Sequence, residues 1–212
     1  MTKLLLAGAS GLVGRAVLRL ALDDPRIDAV IAPARRPLPA HPKLLCPQVD
    51  FDALPAHADW WRADAVICTL GTTLRDAGSR DAFRKVDHDY PLAVARLACR
   101  HGARSFVLTS ASGADPASRI FYSRTKGELE RDLADIGFDS LTLVRPGLLG
   151  GVRERRRPLE HAGMNVLGAL DALLPRRYRV VPTHKLGATL LQVALSPQPG
   201  VHVIESEAIG RH

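Results

Sequence analysis

Short apolar runs alternate along the chain with longer segments whose apolar positions recur at helical spacing. The runs at residues 3–7, 28–34, 64–69, 105–110 and 139–144 predict buried strands, and a short strand is expected near residues 44–49. Residues 12–22, 79–101 and 116–136 predict helices, with Pro91 kinking or breaking the second of them. Because strands and helices alternate, the pattern predicts an α/β fold with a doubly wound parallel sheet of the Rossmann type.

The last third of the chain is less regular. It predicts a helix over 161–174, a short strand over 179–181, a helix over 185–195 and a last strand over 201–206. No internal repeat and no linker divides the sequence, so residues 1–212 are expected to form a single domain. Within that domain, residues 150–182 are expected to form a small cap over the carboxyl edge of the sheet, on the substrate side.

A glycine-rich segment lies between the first predicted strand and the first predicted helix. In it, Gly8 permits a tight turn, Gly11 lets the backbone approach a ligand, and Gly14 lets the helix pack closely on the strand. The helix N-terminus then offers N–H groups and a partial positive charge to a phosphate. The placement predicts a dinucleotide pyrophosphate site made of Gly8, Ser10, Gly11, Leu12, Val13 and Gly14.

The second predicted strand ends in arginines. An acidic residue at this place would bind a ribose 2′-hydroxyl, whereas Arg35 or Arg36 can bind a 2′-phosphate, so the sequence favours NADP(H) over NAD(H). The alternative is that both are surface arginines in a turn. After the third strand, Asp50 and Phe51 are candidates for contacts with the adenine edge and face, or else a turn aspartate beside a core phenylalanine.

A tyrosine and a lysine stand four residues apart in the predicted helix 116–136. Tyr122 and Lys126 therefore share one helix face, where the ammonium and the helix dipole favour the phenolate. Tyr122 can then exchange a proton with a carbonyl or alcohol while hydride moves at a nicotinamide. Ser110, at the end of the preceding strand, is the first choice for holding the substrate oxygen, with Thr109 and Ser112 as the fallback hydroxyls.

These motifs together resemble the short-chain dehydrogenase/reductases of the atypical, extended-like branch, and more narrowly the HIV Tat-interactive protein 2 oxidoreductases. The resemblance covers about two-thirds of the chain and is looser in the C-terminal third. The matching segments are residues 8–14, 68–73, 86–90, 110–115, 122–130 and 138–147.

The resemblance implies a Rossmann fold that binds NADP(H), with Ser110, Tyr122 and Lys126 as the catalytic triad. Lys126 would also hold the nicotinamide ribose. Two further segments are implied to contact the cofactor: Leu70, Gly71 and Thr72 beside the adenosine and pyrophosphate, and Pro146, Gly147 and Leu148 along the nicotinamide. One departure is that Asp87 stands where many of these enzymes place an asparagine of a proton relay, which puts relay through water and strong dehydrogenase activity in question.

Composition narrows the picture further. The chain is 46% hydrophobic and 24% charged, with a formal net charge of +7. Few aromatic residues and no nucleic-acid motif accompany that charge, so no nucleic-acid partner is expected. The densest basic cluster, Arg153 with residues 155–157, is interpreted as a solvated loop or as a rim that attracts an anionic cofactor or substrate.

No stretch reaches the 18 or so apolar residues of a membrane span, and the opening residues lack a secretory h-region. The sequence therefore favours a cytoplasmic protein without a membrane partner. Three widely spaced cysteines and eight scattered histidines predict neither a disulfide framework nor a metal site.

Two functions remain open at this point. The first is an NADP(H)-dependent oxidoreductase acting on a small carbonyl or alcohol, and the second is an NADP(H)-binding regulatory or redox-sensing protein with little catalytic activity. The presence of Ser110, Tyr122 and Lys126 together favours the enzyme, although fold alone does not decide function.

Overall fold

The computed structural model describes residues 2–150 and 180–211. Within these ranges, seven strands form one sheet in which every neighbouring pair is parallel. They are β1 (Thr2–Ala7), β2 (Ile27–Ile31), β3 (Leu44–Leu45), β4 (Ala65–Cys68), β5 (Ser105–Thr109), β6 (Ser140–Arg145) and β9 (Gly200–Glu205). Two further short strands, β7 (Leu149–Gly150) and β8 (Val181–Pro182), pair with each other. The order in the large sheet is β3-β2-β1-β4-β5-β6-β9.

Helices cover both faces of the sheet. They are α1 (Leu12–Asp23), α2 (Leu74–Ala77), α3 (Arg80–Arg84), α4 (Tyr90–Arg100), α5 (Phe121–Ala134) and α6 (Thr183–Leu195), with single 3₁₀ turns at Asp59–Trp61 and Ser206–Ala208. One apolar cluster joins α1 and α6 to one face, and a second joins α4 and α5 to the other. This arrangement confirms the predicted doubly wound parallel sheet.

The central strands show why their sequences read as unbroken apolar runs. Leu4 and Leu6 belong to the cluster beneath α1 and α6, while Leu5 belongs to the cluster beneath α4 and α5. All three side chains are fully buried. A parallel strand covered on both faces needs apolar residues at every position, because successive side chains point to opposite sides.

The predicted helix 79–101 is interrupted just before Pro91, in agreement with the kink or break that was expected there. A single π-helical turn, Lys85–Asp89, separates α3 from α4, and Pro91 lies in the first turn of α4. Proline has no N–H to give to the carbonyl four residues earlier, which here belongs to Asp87. The backbone widens instead, and the N–H of Tyr90 bonds to the carbonyl of Lys85.

The predicted helix 116–136 begins later, at Phe121. The Asp115 side chain accepts a hydrogen bond from the N–H of Ala117 and its carbonyl accepts one from Ser118, which fixes a turn instead of a helical start. The predicted helix 161–174, the basic cluster at 153 and 155–157, and most of the 150–182 cap lie outside the described residues.

Candidate functional site at the carboxyl edge of the sheet

The strand order reverses between β1 and β4, and ligands of doubly wound sheets bind at such a switch point. Gly8 follows β1 and Thr69 follows β4. The Thr69 hydroxyl lies 3.1 Å from the Ala7 carbonyl oxygen and 3.2 Å from that of Gly8, so it ties the two strand ends together.

Two of the three motif glycines are required by packing. Gly8 has φ +89°, and a Cβ there would lie 2.7 Å from Thr69 Oγ1. A Cβ on Gly14 would lie 2.1 Å from the Gly8 carbonyl oxygen, because α1 packs directly on the loop. Gly11 differs from both, since its Cβ would meet only the Gly8 oxygen, at 3.3 Å, and the residue is exposed.

The N-terminus of α1 is open toward this edge. Gly11 is the N-cap residue, and no side chain caps the helix. The N–H groups of a first helical turn have no partner within the helix, so together with the helix dipole they provide an anion site. This is the arrangement that the glycine segment predicts for a pyrophosphate.

A cleft of about 870 Å³ lies beside the glycine loop. Its lining includes Ala9, Ser10 and both predicted arginines, Arg35 and Arg36, and none of the lining residues within the described ranges is acidic. The structure therefore places Arg35 and Arg36 in one cleft with the glycine loop, which is where the sequence predicts contact with a cofactor 2′-phosphate.

Two arginines of α1 that the sequence reasoning missed also line this cleft. Arg15 and Arg19 stand four residues apart, which places both on one face of the helix. Arg15 Nε donates to the Ser10 carbonyl oxygen at 2.9 Å. The sequence signal that could have identified them is the spacing of four residues between two arginines in the helix that follows the glycine segment.

Asp50 and Phe51 follow the alternative interpretation. The Asp50 carboxylate accepts a hydrogen bond from the N–H of Asp52 at 2.9 Å, which closes a turn. Phe51 is buried, and its ring packs against Tyr90 with 5.6 Å between the centroids. A ring used in the core has no free face for adenine, so the predicted stacking contact is not supported.

The Tyr122–Lys126 pair lies on α5, as predicted. Tyr122 is 36% exposed and its ring packs on Phe83, with 5.6 Å between the centroids. Lys126 is buried, and its Nζ lies 2.8 Å from Asp87 Oδ1. Asp87 Oδ2 accepts a hydrogen bond from the N–H of Thr72 at 2.7 Å. Asp87 therefore joins α5 to the predicted cofactor segment that follows β4.

The proton affinity of Tyr122 differs from the sequence expectation. Burial raises the pKa of the phenol, Lys126 lowers it, and Asp87 raises it again, so that the pKa lies above its ordinary value. The sequence prediction took account of the lysine and the helix dipole, but of neither burial nor Asp87, and therefore expected the opposite direction. For Lys126, burial alone would lower the pKa of the ammonium, but Asp87 and Tyr122 outweigh burial and raise it.

Ser110 is not bonded to Tyr122. Its hydroxyl donates to Glu130 Oε1 at 2.5 Å, in the interior. Arg145 binds both oxygens of Glu130, at 3.0 and 2.5 Å, and reaches Glu205 at 3.0 Å. Since a hydroxyl has a single hydrogen to donate, Ser110 in this arrangement has none for a substrate oxygen.

The fallback hydroxyls are placed differently from each other. Val107 of β5 belongs to the apolar cluster on the α1 and α6 face of the sheet. Because side chains alternate between faces along a strand, Thr109 points to that same face, away from α5. Ser112 lies in the loop after β5, is partly exposed, and donates its backbone N–H to the Pro146 carbonyl at 2.9 Å.

The predicted nicotinamide segment lies beyond β6 at the same edge. The N–H of Gly147 donates to Ser206 Oγ at 3.1 Å, and the side chain of Leu148 is exposed. Because Pro146 bonds to Ser112, this segment and the loop after β5 are held together.

A glycine to which the sequence analysis gave no role also shapes the site. A Cβ on Gly127 would lie 2.2 Å from the Pro116 nitrogen and 2.3 Å from the Asp115 carbonyl carbon. The loop after β5 therefore crosses α5 in direct contact with its backbone, next to Lys126. No periodicity in the sequence marks this crossing.

Within residues 2–150 and 180–211, no group of three or more His, Cys, Asp or Glu side chains is placed to hold a metal ion. In the same ranges no helix has the length and apolar character needed to cross a bilayer. Cys68 is buried, and burial raises the pKa of its thiol to about 12.

Two curated proteins are similar to this chain over most of its length. HTATIP2 of Rattus norvegicus is 35% identical over 208 residues, which is 95% of this chain and 85% of the relative. The protein named "FMP52, mitochondrial" of Eremothecium gossypii is 33% identical over 218 residues, which is 97% of this chain and 94% of the relative. No family model matches the chain.

A solved structure extends the likeness in fold. MoeE5 in complex with UDP-glucose and NAD superposes with a TM-score of 0.72 at 16% identity, over 95% of this chain and 74% of MoeE5. At that identity the likeness shows the fold alone.

The names of the fungal relatives correct one expectation. The sequence favoured a cytoplasmic protein, but FMP52 proteins, including that of Saccharomyces cerevisiae at 35% identity, are named mitochondrial. The argument failed because the lack of a secretory h-region speaks only to secretion and does not separate the cytosol from organelles.

Proposed function

This chain belongs to the atypical short-chain dehydrogenase/reductase family that includes HTATIP2 and FMP52, and we propose that it is an NADP(H)-dependent oxidoreductase. Its substrate would be a small carbonyl compound or alcohol. Tyr122 would act as the general acid or base, with Lys126 beside it.

One observation carries this proposal, namely an unbroken series of contacts between the glycine loop and the Tyr–Lys pair. A Cβ on Gly8 would lie 2.7 Å from Thr69 Oγ1 and 2.8 Å from the Leu70 nitrogen, and a Cβ on Gly71 would lie 3.8 Å from Lys126 Nζ. The two motifs are far apart in sequence, and residues 69–71, which follow β4, lie between the glycine loop and Lys126 of α5. A cofactor seated on the glycine loop therefore points toward the pair that would handle the proton.

The residues present fit a phosphorylated dinucleotide. The open helix N-terminus at Gly11 suits the pyrophosphate, and the acid-free cleft with Arg35 and Arg36 suits a 2′-phosphate. Lys126 would bind the nicotinamide ribose. When bound, the nicotinamide supplies or accepts a hydride.

In reduction, Tyr122 donates its proton to the carbonyl oxygen as the carbon gains hydride, and solvent returns a proton to the phenolate. The partly exposed phenol lies at the rim of the site, where a substrate can reach it. Because the Ser110 hydroxyl is bonded to Glu130, the partly exposed Ser112 in the loop after β5 would hold the substrate oxygen.

The first test concerns the cofactor. NADPH is expected to bind about ten- to a hundredfold more tightly than NADH, because charged hydrogen bonds from Arg35 and Arg36 contribute about 1.5–3 kcal/mol. Calorimetric titration of both cofactors measures the ratio. In the Arg35→Ala, Arg36→Ala double variant the preference should disappear while NADH affinity stays the same.

A double variant that loses the same charge elsewhere, Arg62→Ala with Arg104→Ala, controls for long-range electrostatics, since both side chains are highly exposed and lie outside the cleft. Equal affinities for the two cofactors in the wild type, or a preference that survives in the first double variant, would count against the NADP assignment.

The second test separates the two serines. If Ser112 holds the substrate oxygen, Ser112→Ala should lower kcat about 100-fold, as the loss of a preorganised donor does elsewhere. Ser110→Ala should instead lower the free energy of unfolding by about 1–3 kcal/mol, since Glu130 loses a buried donor. Turnover and thermal unfolding of both variants measure this, and the reverse pattern would return the role to Ser110.

A second candidate, an NADP(H)-binding regulator with little activity, is favoured by one observation. Ser110, the hydroxyl that family resemblance assigns to catalysis, is bonded inside the protein. A screen of carbonyls and alcohols that follows NADPH oxidation by absorbance distinguishes the two. Tight NADPH binding without turnover of any compound would favour the regulator.

A further inference from the structure

We propose that Glu130 and Arg145 form a positioning pair, which fixes the predicted nicotinamide segment, residues 146–148, against α5 and so sets the place of a bound nicotinamide relative to Tyr122. The inference rests on the proposed function and adds two positioning residues to it. Arg145 is the last residue of β6, directly before the segment, and Glu130 lies in α5. Neither side chain is expected to touch the cofactor or the substrate.

The ion pair has a geometry that fixes orientation as well as distance. Arg145 Nε donates to Glu130 Oε1 at 3.0 Å, and Nη2 donates to Oε2 at 2.5 Å. One edge of the planar guanidinium therefore meets both oxygens of the carboxylate. Two parallel bonds of this kind restrict rotation between the groups, which the single ammonium of a lysine would not do. The end of β6 is thus held to α5 in one orientation.

Glu130 shares a helix face with the two residues that would carry the chemistry. Tyr122, Lys126 and Glu130 follow one another in α5 at intervals of four residues, each of which is about one turn. Lys126 is 4% exposed and Glu130 is 6% exposed, so both lie on the buried side of the helix. A shift of Arg145 along or around α5 would therefore move residues 146–148 relative to Tyr122.

The other hydrogen bonds of the segment lead to different elements. The Pro146 carbonyl accepts from the N–H of Ser112, in the loop after β5, at 2.9 Å. The N–H of Gly147 donates to Ser206 Oγ, in the turn after β9, at 3.1 Å. In the part of the chain that the structure describes, the hydrogen bonds that join this end of β6 to the side chains of α5 are those of the ion pair.

Stability alone gives little reason for an ion pair at this place. The Glu130 carboxylate is buried, and its Oε1 also accepts the Ser110 hydroxyl at 2.5 Å. Two charges taken out of water contribute little or no net stability compared with apolar residues of similar volume. The bidentate contact does provide a defined orientation, and the segment that follows Arg145 is the one in which orientation would affect hydride transfer.

The deciding experiment compares two ligands that differ in the nicotinamide. NADPH contains it, whereas adenosine 2′,5′-bisphosphate has the adenosine and the 2′-phosphate without it. In Glu130→Gln an amide NH₂ replaces one of the two oxygens that Arg145 binds, so the bidentate contact is lost. Calorimetry should show NADPH binding weakened about tenfold, the size of one lost hydrogen bond, and an unchanged affinity for the bisphosphate.

Turnover gives a second measure. With a substrate from the screen, Glu130→Gln should lower kcat about 100-fold at an unchanged KM for the carbonyl, because a misplacement of about 1 Å has an effect of that size. Arg145→Lys should behave in the same way, since it keeps the charge and loses the planar fork. It leaves the Glu130 carboxylate with a cation beside it, and so it keeps the test decisive if Glu130→Gln does not fold.

Two other variants of α5 serve as controls. Glu128→Gln makes the same substitution in the ion pair with Arg84 of α3 and should leave both affinities unchanged. Leu133→Ala removes a fully buried side chain from the same helix and lowers the free energy of unfolding. It should leave the ratio of the NADPH affinity to the bisphosphate affinity unchanged, which separates a loss of position from a loss of stability.

Folded Glu130→Gln and Arg145→Lys proteins with the wild-type ratio of affinities and the wild-type kcat would overturn the proposal. So would equal weakening of both ligands, which indicates a merely structural pair, or wild-type behaviour of Arg145→Lys alone, which indicates that charge suffices. The wild type keeps the two proposals apart. A wild-type protein that does not bind NADPH fails as an oxidoreductase, whereas one that binds it with the same ratio in all variants refutes only the role of the pair.

Discussion

Replacing Tyr122 with phenylalanine is expected to lower turnover by about 10²–10⁴-fold while NADPH affinity changes little. The substitution keeps the ring that packs on Phe83 and removes only the proton that can be transferred. Steady-state kinetics with a substrate from the screen, together with calorimetry, would measure both quantities.

Tyr90→Phe is the matched control for this experiment. The Tyr90 hydroxyl donates to Asp52 at the surface, and the ring packs on Phe51. Its loss should leave turnover unchanged. A Tyr122→Phe enzyme that works at the wild-type rate would show that another group handles the proton.

Lys126→Met should behave differently from Tyr122→Phe. It is expected to lower turnover and weaken NADPH binding together, because the ammonium would serve both the phenol and the ribose. It should also lower the free energy of unfolding, since the buried Asp87 carboxylate would lose its partner. These three effects in one variant would distinguish a shared lysine from a purely structural one.

The parts of the fold that the sequence predicts correctly are those that depend on the spacing of residues close together in the chain. β1 reads as a strand because it is covered on both faces, and α5 brings Tyr122 and Lys126 together because four residues make about one turn. The glycine motif is equally local, since Gly8 and Gly14 meet within a few residues of each other.

The parts that sequence reasoning missed depend on distant segments. The alternation of side chains along β5 puts Ser110 on the sheet face that α5 covers. How far α5 is shifted along the strand then decides that Ser110 meets Glu130 and not a substrate. The pairing of Asp87 with Lys126 depends in the same way on the π turn. Burial of the phenol, with a smaller contribution from Asp87, raises the pKa of Tyr122, which is the opposite of the direction that its own helix suggests.

The other large effect is expected at the glycine loop, where Gly11→Val should abolish NADPH binding in a protein that still folds. Gly11 has φ −75° and ψ 172°, an extended conformation that valine adopts readily. The added side chain projects from an exposed N-cap, where the backbone would approach the pyrophosphate.

Gly14→Ala is the contrasting variant at the same loop. Its Cβ would have to occupy a position 2.1 Å from the Gly8 carbonyl oxygen, so the loop and α1 must separate, at a cost of about 3 kcal/mol or more in the free energy of unfolding. Gly11 is therefore expected to matter for NADPH binding, and Gly14 for the stability of the fold.

Thermal unfolding with and without NADPH measures both effects. The wild type should gain about 2.7 kcal/mol when NADPH is present at a hundred times its Kd, and Gly11→Val should unfold at the same temperature with or without it. Gly14→Ala should unfold at a much lower temperature even without ligand. If Gly11→Val kept the full ligand-induced shift, the first turn of α1 would not be where the pyrophosphate binds, and the loop would serve only to turn the chain from β1 into the helix.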